Sequence, residues 1–358
     1  MDKELVYDRV AGSLLAGAAG DALGYAIEFS SWNEICRAYG ATGITSYKFS
    51  RASGKALVSD DTQMTLYTAA GALAYASVQR DVFDLGALRA ALYDAYLHWY
   101  RTQDSSARFA SSQAYWLDAI EELHSLRAPG NTCLSALGSG TCGTTTSPIN
   151  NSKGCGGVMR VAPLGCFGRG LTSDQVALSG AEASAITHGH SLGYIPGATS
   201  ALLVHKCVFR ETPRAFDELA HEAVDETLRL FASAPHIEEF AALMRRTFEL
   251  ASSGRDDRAC IDELGGGWVG EEALAIALYC ALRWRDDLDR CLVAAVNHSG
   301  DSDSTGAIAG NLLGAYLGRG RIAAKWLDRL ELRDEIERIA RELTDAATAS
   351  DERKLILD

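Results

Sequence analysis

Proline is scarce in this chain, with six residues in 358, so long helices meet few obligatory breaks. Period-two alternation of apolar and polar residues is almost absent, which argues against half-buried sheets. No apolar run is long enough to span a bilayer, and no membrane partner is expected. Cys-x-x-Cys pairs are missing as well, although the chain carries nine cysteines. An odd, scattered set, with Cys207 and Cys280 inside apolar runs, reads as small buried hydrophobes in a reducing compartment. The start, Met1-Asp2-Lys3-Glu4, lacks the basic-then-apolar layout of a secretory leader. A cytoplasmic protein is therefore expected. Basic charge is also short: 34 Lys and Arg stand against 47 Asp and Glu, a formal net charge of −13. Such a chain repels phosphate backbones, so nucleic acid is not an expected partner. A small anion remains admissible, because helix N-termini and bound cations reverse the sign locally.

What is present is helical periodicity. Val6, Val10, Leu14 and Ala18 share one face of an opening helix, and Leu66, Ala69, Ala70, Leu73 and Ala76 share one face of another. Further helices are predicted at roughly 84–100, 106–125, 157–168, 173–187, 192–209, 213–232, 237–251, 269–284, 287–297, 304–318 and 333–347. The Gly/Ser/Thr-rich stretch 129–157 reads as the one long polar loop, and loops of that length are usually functional or disordered. No linker divides the chain. The expected fold is all-α: one compact domain over residues 1–358 with a core at about 6–320 and a peripheral, solvated C-terminal helix in 328–358.

Two stripes of small residues recur every four positions: Gly12, Ala16, Gly20 and Gly24 near the start, and Gly306, Gly310, Gly314 and Gly318 near the end. Residues four apart share a helix face, so each stripe is a groove into which another backbone fits. A membrane reading of the spacing fails, since these helices are too short and too polar. Glycine costs about 1 kcal/mol in a helix interior, so four on one face imply close central packing.

Two acidic clusters carry the chemistry. Ser59-Asp60-Asp61-Thr62 and Asp301-Ser302-Asp303-Ser304-Thr305 each open onto an apolar helical run. A helix cap needs only one such residue. Adjacent carboxylates repel unless a cation sits between them, and the same excess occurs twice. Oxygen donors without His or Cys suit Mg²⁺ or Mn²⁺ and suit Zn²⁺ poorly. An EF-hand is excluded, because its twelve-residue pattern with a closing Glu is missing. Glu28, between apolar neighbours after Gly20-Asp21-Ala22-Leu23-Gly24, is either a solvated or capping side chain or a further carboxylate near the metals.

The other motifs are weaker alone. Asn150-Asn151-Ser152-Lys153-Gly154-Cys155-Gly156-Gly157-Val158-Met159-Arg160 offers backbone N–H groups for an anion, or is a turn; its spacing is not that of a Walker loop. Gly138-Ser139-Gly140-Thr141-Cys142-Gly143 matches a dinucleotide fingerprint formally, but no strand precedes it. Thr187-His188-Gly189-His190 reads as a substrate-facing or structural pair, and His298 as a packing residue. No Gly-x-Ser-x-Gly elbow supports a serine hydrolase.

In their order and spacing these pieces together resemble the ADP-ribosylglycohydrolase family: Gly20–Gly24 with Glu28, Asp60-Asp61-Thr62, Gly156-Gly157-Val158-Met159-Arg160, Thr187-His188, and Gly300-Asp301-Ser302-Asp303 leading into Gly306–Gly310. The resemblance runs from about residue 6 to about 320. It implies an all-α array around a dinuclear centre of two Mg²⁺ or Mn²⁺ ions. The implied metal ligands are Ser59, Asp60, Asp61, Asp301, Asp303 and Ser304. Family members often have Thr where this chain has Ser59 and Ser304; both keep the hydroxyl. The implied ADP-ribose-binding residues are Ser152, Gly154, Cys155, Gly156, Gly157 and His188, with the glycine loop on the diphosphate.

The implied activity is metal-dependent hydrolysis of the bond joining ADP-ribose to a modified protein side chain. Two cations about 3.5–4 Å apart orient ribose hydroxyls and acidify a water, and Asp61 or Glu28 takes the proton. Bond cleavage passes through an oxocarbenium-like state. Arginine is the expected acceptor, with serine as the alternative. A cognate ADP-ribosylating toxin is the alternative partner, in which case the chain is an immunity protein that binds and neutralises it, with or without hydrolysis. An inactive relative would not need all four Asp, and a metal-dependent phosphohydrolase would need more His or Lys near the clusters.

Overall fold

A computed structural model describes residues 1–78, 82–111 and 113–357. Among these residues the chain forms fifteen α-helices and no strand, with only isolated β-bridges. In chain order they are α1 Lys3–Gly24, α2 Trp32–Tyr39, α3 Asp60–Ser77, α4 Leu85–Gln103, α5 Asn131–Gly138, α6 Ser173–Ala185, α7 Ser191–Val208 and α8 Phe216–Leu230. They continue with α9 Ile237–Ser252, α10 Asp257–Leu264, α11 Gly270–Arg283, α12 Leu288–Val296, α13 Ser302–Leu317, α14 Ala324–Leu327 and α15 Arg333–Leu357.

The two small-residue stripes meet, and that contact organises the fold. Helices α1 and α13 run antiparallel, with Gly12 against Gly314, Ala16 against Gly310, Gly20 against Gly306 and Gly24 against Ser302. A methyl group at any of these glycines would overlap a backbone carbonyl of the other helix. Both helices are buried on nearly every side, as expected of helices apolar all round. Gly318 plays a different part: it ends α13 at φ 87°, a left-handed position that favours glycine.

Around this pair, α11 and α12 pack on α13, α6 packs on α7, α3 packs on α4, and α15 packs on α1 and α3. The antiparallel register carries the start of α13 to the end of α1. Asp21 near that end also holds the start of α3. Both acidic clusters are thus delivered to one place.

Two predicted helices are absent. In 106–125 the described residues form only 3₁₀ turns, at Trp116–Ala119 and Glu121–His124; Ser112 lies outside the described residues. Side chains there satisfy local groups instead of a helical ladder: Ser106 donates to Asp104, and Arg108 donates to the Ser105 and Ala107 carbonyls. Such bonds compete with helix formation. Phe109 and Tyr115 meanwhile pack edge-on against His98. In 157–168 the chain forms 3₁₀ turns at Cys155–Gly157 and Ala162–Gly165, because Pro163 and three glycines disfavour a regular helix. The polar loop 129–157 is interrupted by α5. The tail is more than a solvated cover: Ile336, Ile339, Ala340 and Leu343 are buried.

Candidate metal centre and substrate cleft

Asp21 positions the first cluster. Its carboxylate accepts the backbone N–H of Ser59 at 2.9 Å and of Thr62 at 3.1 Å, and the Thr62 hydroxyl as well. Ser59 is the N-cap of α3, its Oγ accepting the Asp61 N–H at 3.2 Å. The Asp60 N–H donates to the Arg127 carbonyl at 3.0 Å, and Asp60 Oδ2 accepts the Gly130 N–H at 3.2 Å. In the second cluster the Asp301 N–H is held by the Gly266 carbonyl at 2.9 Å. Ser304 donates its N–H to Asp303 at 3.0 Å. His298 Nε2 lies 2.9 Å from Thr305 Oγ1, locking the turn before α13.

Glu28, Asp60, Asp61, Asp301, Asp303 and Ser304 line one cleft of about 340 Å³. Carboxylate oxygens of Glu28, Asp301 and Asp303 lie within 4.8 Å of one another. All are buried. Burial, reinforced by Asp303, pushes Glu28 up to about 10 and Asp21 up to about 7. The same two causes hold Asp60, Asp61 and Asp301 well above the usual carboxylate range. Glu28 Oε2 and Asp61 Oδ2 have no hydrogen-bond partner. Crowded, buried carboxylates with free lone pairs are what a hard divalent cation neutralises, so this donor set fits one. The Ser59 hydroxyl, engaged as a cap, is not among the cleft-lining groups.

Beside the acids lies the glycine loop, whose Cys155 thiol neighbours Asp301. Gly154, Cys155 and Gly156 line the cleft with His188. The loop is pinned from behind: the Cys155 N–H donates to the Trp268 carbonyl at 3.2 Å, and the Gly270 N–H to the Lys153 carbonyl at 2.7 Å. A Cβ at Gly156 would stand 3.0 Å from both Cys133 Sγ and His188 Cε1, so only glycine leaves the cradle open. Ser152 and Gly157 support the loop rather than face the cleft. Ser152 Oγ lies 3.1 Å from Thr132 Oγ1, and a Cβ at Gly157 would meet the Gly193 carbonyl at 2.8 Å. Burial and the neighbouring Arg160 push His188 down to about 3, so its imidazole is neutral at pH 7. His190 is apart from the cleft lining and caps α7 through Nδ1.

Sequence reasoning gave no role to Asp21, although it lies inside a quoted motif. It also missed Phe29 and Trp268, which stack with ring centroids 6.0 Å apart at the cleft mouth, 75% and 45% exposed. The run Gly265-Gly266-Gly267 before Trp268 was the available signal, marking backbone that must pass close to the Asp301 turn.

A sequence-family model described as ADP-ribosylglycohydrolase matches residues 2–353. The chain belongs to the ADP-ribosylglycohydrolase family. As a member it is a hydrolase of a glycosidic bond to ADP-ribose. It is 27% identical over 347 residues to the ADP-ribosyl-[dinitrogen reductase] glycohydrolase of Rhodospirillum rubrum, covering 96% of this chain and 97% of that protein. The ADP-ribosylarginine hydrolase Tri1 of Pseudomonas putida is 25% identical over 371 residues, covering 99% of this chain and 82% of Tri1. The human ADP-ribosylhydrolase ARH3 is 28% identical over 214 residues, 54% of this chain and 58% of ARH3. A solved structure titled ADP-ribosylglycohydrolase-related protein complex shares the fold at TM-score 0.59 and 23% identity, covering 96% of this chain. No helix among the described residues is long and apolar enough to cross a membrane.

Proposed function

We propose that this ADP-ribosylglycohydrolase removes ADP-ribose from arginine side chains of modified proteins, using two hard divalent cations, Mg²⁺ or Mn²⁺, in the acidic cleft. The observation that carries the reading is the convergence of Glu28, Asp60, Asp61, Asp301 and Asp303 in one cleft that the Gly154–Gly156 loop also lines. Arginine is preferred over serine because Tri1, named for arginine, aligns along 99% of the chain. All three relatives are named as hydrolases, which favours hydrolysis over neutralisation of a toxin by binding.

Asp60, Asp61, Asp301, Asp303 and the Ser304 hydroxyl would hold the cations, with Ser59 supporting as the α3 cap. When bound, the cations would supply positive charge that keeps these acids ionised, orients ribose hydroxyls and makes a nearby water more acidic. The chain's own residues do the rest. Gly154, Cys155 and Gly156 present the loop to the diphosphate, and His188 faces the same wall. Asp61 and Glu28 each keep a carboxylate oxygen free of hydrogen bonds, so one of them accepts the proton of the attacking water. The water oxygen joins the anomeric carbon, the carbon–nitrogen bond breaks with its electron pair going to nitrogen, and the carboxyl returns the water's proton to the departing guanidine. Positioning beside a carboxylate base is the main contribution of the fold.

The test is release of free ADP-ribose from an arginine-ADP-ribosylated protein, with Mg²⁺ or Mn²⁺ and with chelator, for wild type and Asp303→Ala. Cation-dependent release that the variant loses is the expected result. Release from serine-linked but not arginine-linked substrate would sink the arginine assignment.

A further inference from the structure

Arg160 is a buried charge that the reaction as described above does not use. It is fully buried, with relative exposure 0%, and its hydrogen bonds go to neutral groups. Nη2 donates to the Ala183 carbonyl at 3.0 Å and to Thr187 Oγ1 at 2.6 Å. Nη1 donates to Cys133 Sγ at 3.3 Å and Met64 Sδ at 3.5 Å. The guanidinium lies 4.4 Å from the Tyr96 ring centroid, and Nε has no partner. A buried cation without an acid beside it is costly to fold, so a functional reason is called for.

The next two bonds supply it. Thr187 Oγ1 lies 2.8 Å from His188 Nδ1. Arginine can only donate, so Thr187 Oγ1 accepts from Arg160. The Thr187 proton then needs an acceptor. Cys133 sulfur is a weak one, and His188 Nδ1 is a strong one. If Nδ1 accepts, the ring proton sits on Nε2, and that nitrogen reaches the cleft wall, 3.2 Å from where a Gly154 Cβ would be. His188 itself lines the cleft.

We propose that Arg160 is a positioning residue for the anionic part of the substrate: acting through Thr187, it fixes His188 as the Nε2–H tautomer, which donates into the cleft beside the glycine loop. The same guanidinium supplies positive charge behind that wall, which a diphosphate in the cleft would offset. The choice of a diphosphate as ligand rests on the ADP-ribose reading above, whereas the tautomer follows from this chain alone.

The test uses the full chain, ¹⁵N-labelled, without ligand. Long-range ¹H–¹⁵N correlation is expected to show His188 as the Nε2–H form in wild type and in Thr187→Ser, and a mixture of tautomers in the near-isosteric Thr187→Val. With ADP-ribose as probe, calorimetry is expected to show Thr187→Val binding roughly 10-fold or more weakly and Thr187→Ser close to wild type, the scale of one lost charge-assisted hydrogen bond. In turnover the loss should appear in KM more than in kcat. An Nδ1–H form in wild type overturns the proposal, as does Thr187→Val with unchanged tautomer and unchanged binding. Wild type with the Nε2–H form that fails to bind ADP-ribose overturns the functional reading and leaves the relay supported.

Discussion

Gly20 and Gly306 pack backbone on backbone, so that a Cβ placed on Gly306 would stand 2.5 Å from the Gly20 carbonyl oxygen. Gly20 is next to Asp21 near the end of α1, and Gly306 is about one helical turn after Asp303 on α13. The pair sets the separation of α1 from α13, and with it the distance of Glu28 and Asp21 from Asp301 and Asp303.

Gly306→Ala is therefore expected to be destabilising despite the better helix propensity of alanine. Overpacking of this kind costs about 1–3 kcal/mol, against a propensity gain of about 1 kcal/mol, and here the clash is with backbone that cannot rotate away. A lower denaturation midpoint together with weaker Mn²⁺ binding by calorimetry is the expected pair of results. An unchanged midpoint would show that the helices can part at no cost.

Asp21→Asn should loosen the first cluster without touching the second. The Asp21 carboxylate serves the Ser59 and Thr62 N–H groups and the Thr62 hydroxyl, four donor contacts in all. An amide keeps one acceptor oxygen and turns an NH₂ towards a donor. The expected loss is about 1–3 kcal/mol for the unsatisfied group, read from urea unfolding, with Mn²⁺ affinity falling in the same protein.

Stability should fall as pH rises in the metal-free protein and stay nearly level when cation is bound. Glu28, pushed up to about 10, and Asp21, up to about 7, both titrate above their unfolded values of 4.5 and 3.8. A raised carboxylate favours the folded state while protonated, so the metal-free protein loses stability as pH climbs from the unfolded values through the folded ones. Cation binding displaces those protons, so affinity rises over the same range. In melting experiments the gap between Mn²⁺ and chelator should be wider at pH 9 than at pH 6, and narrower in Glu28→Gln.

Glu331 ties the C-terminal segment to the first cluster. It is 2% exposed; its Oε2 accepts the Val58 N–H at 3.1 Å and its Oε1 accepts Arg127 Nη2 at 3.0 Å. The Arg127 carbonyl in turn holds the Asp60 N–H. Glu331→Ala should cost about 3 kcal/mol, the lower end for breaking a buried pair, since Arg127 keeps some solvent contact. Urea unfolding with an unchanged m-value is the check, and Glu331→Gln should lose less.

Much of the helical plan is legible in periodicity, as in α8 and α9, where the buried residues recur at helical spacing and acidic residues fill the first turn. Legibility fails where side chains compete with the backbone. Ser106, Arg108 and the aromatic contacts of His98 override a helical pattern at 106–125. Pro163 and its neighbouring glycines do so at 157–168. The short helices α2, α10 and α14 span at most eight residues, too few for a period to show. At the cleft, the sequence marks the Asp pairs by their excess over what a cap needs. Asp21 carries no such mark, because a lone buried carboxylate looks like any other in a string of letters.

By itself the sequence determined the helical class, the two stripes, the acidic clusters and the family, because each is a local pattern of spacing or residue type. Only the tertiary structure decided that Glu28 joins Asp301 and Asp303, that the glycine loop faces them, and that Arg160 reaches His188 through Thr187. The first of these relations crosses about 275 residues of chain, and it exists because α1 and α13 pack antiparallel, backbone on backbone, in the register that brings Gly24 to Ser302.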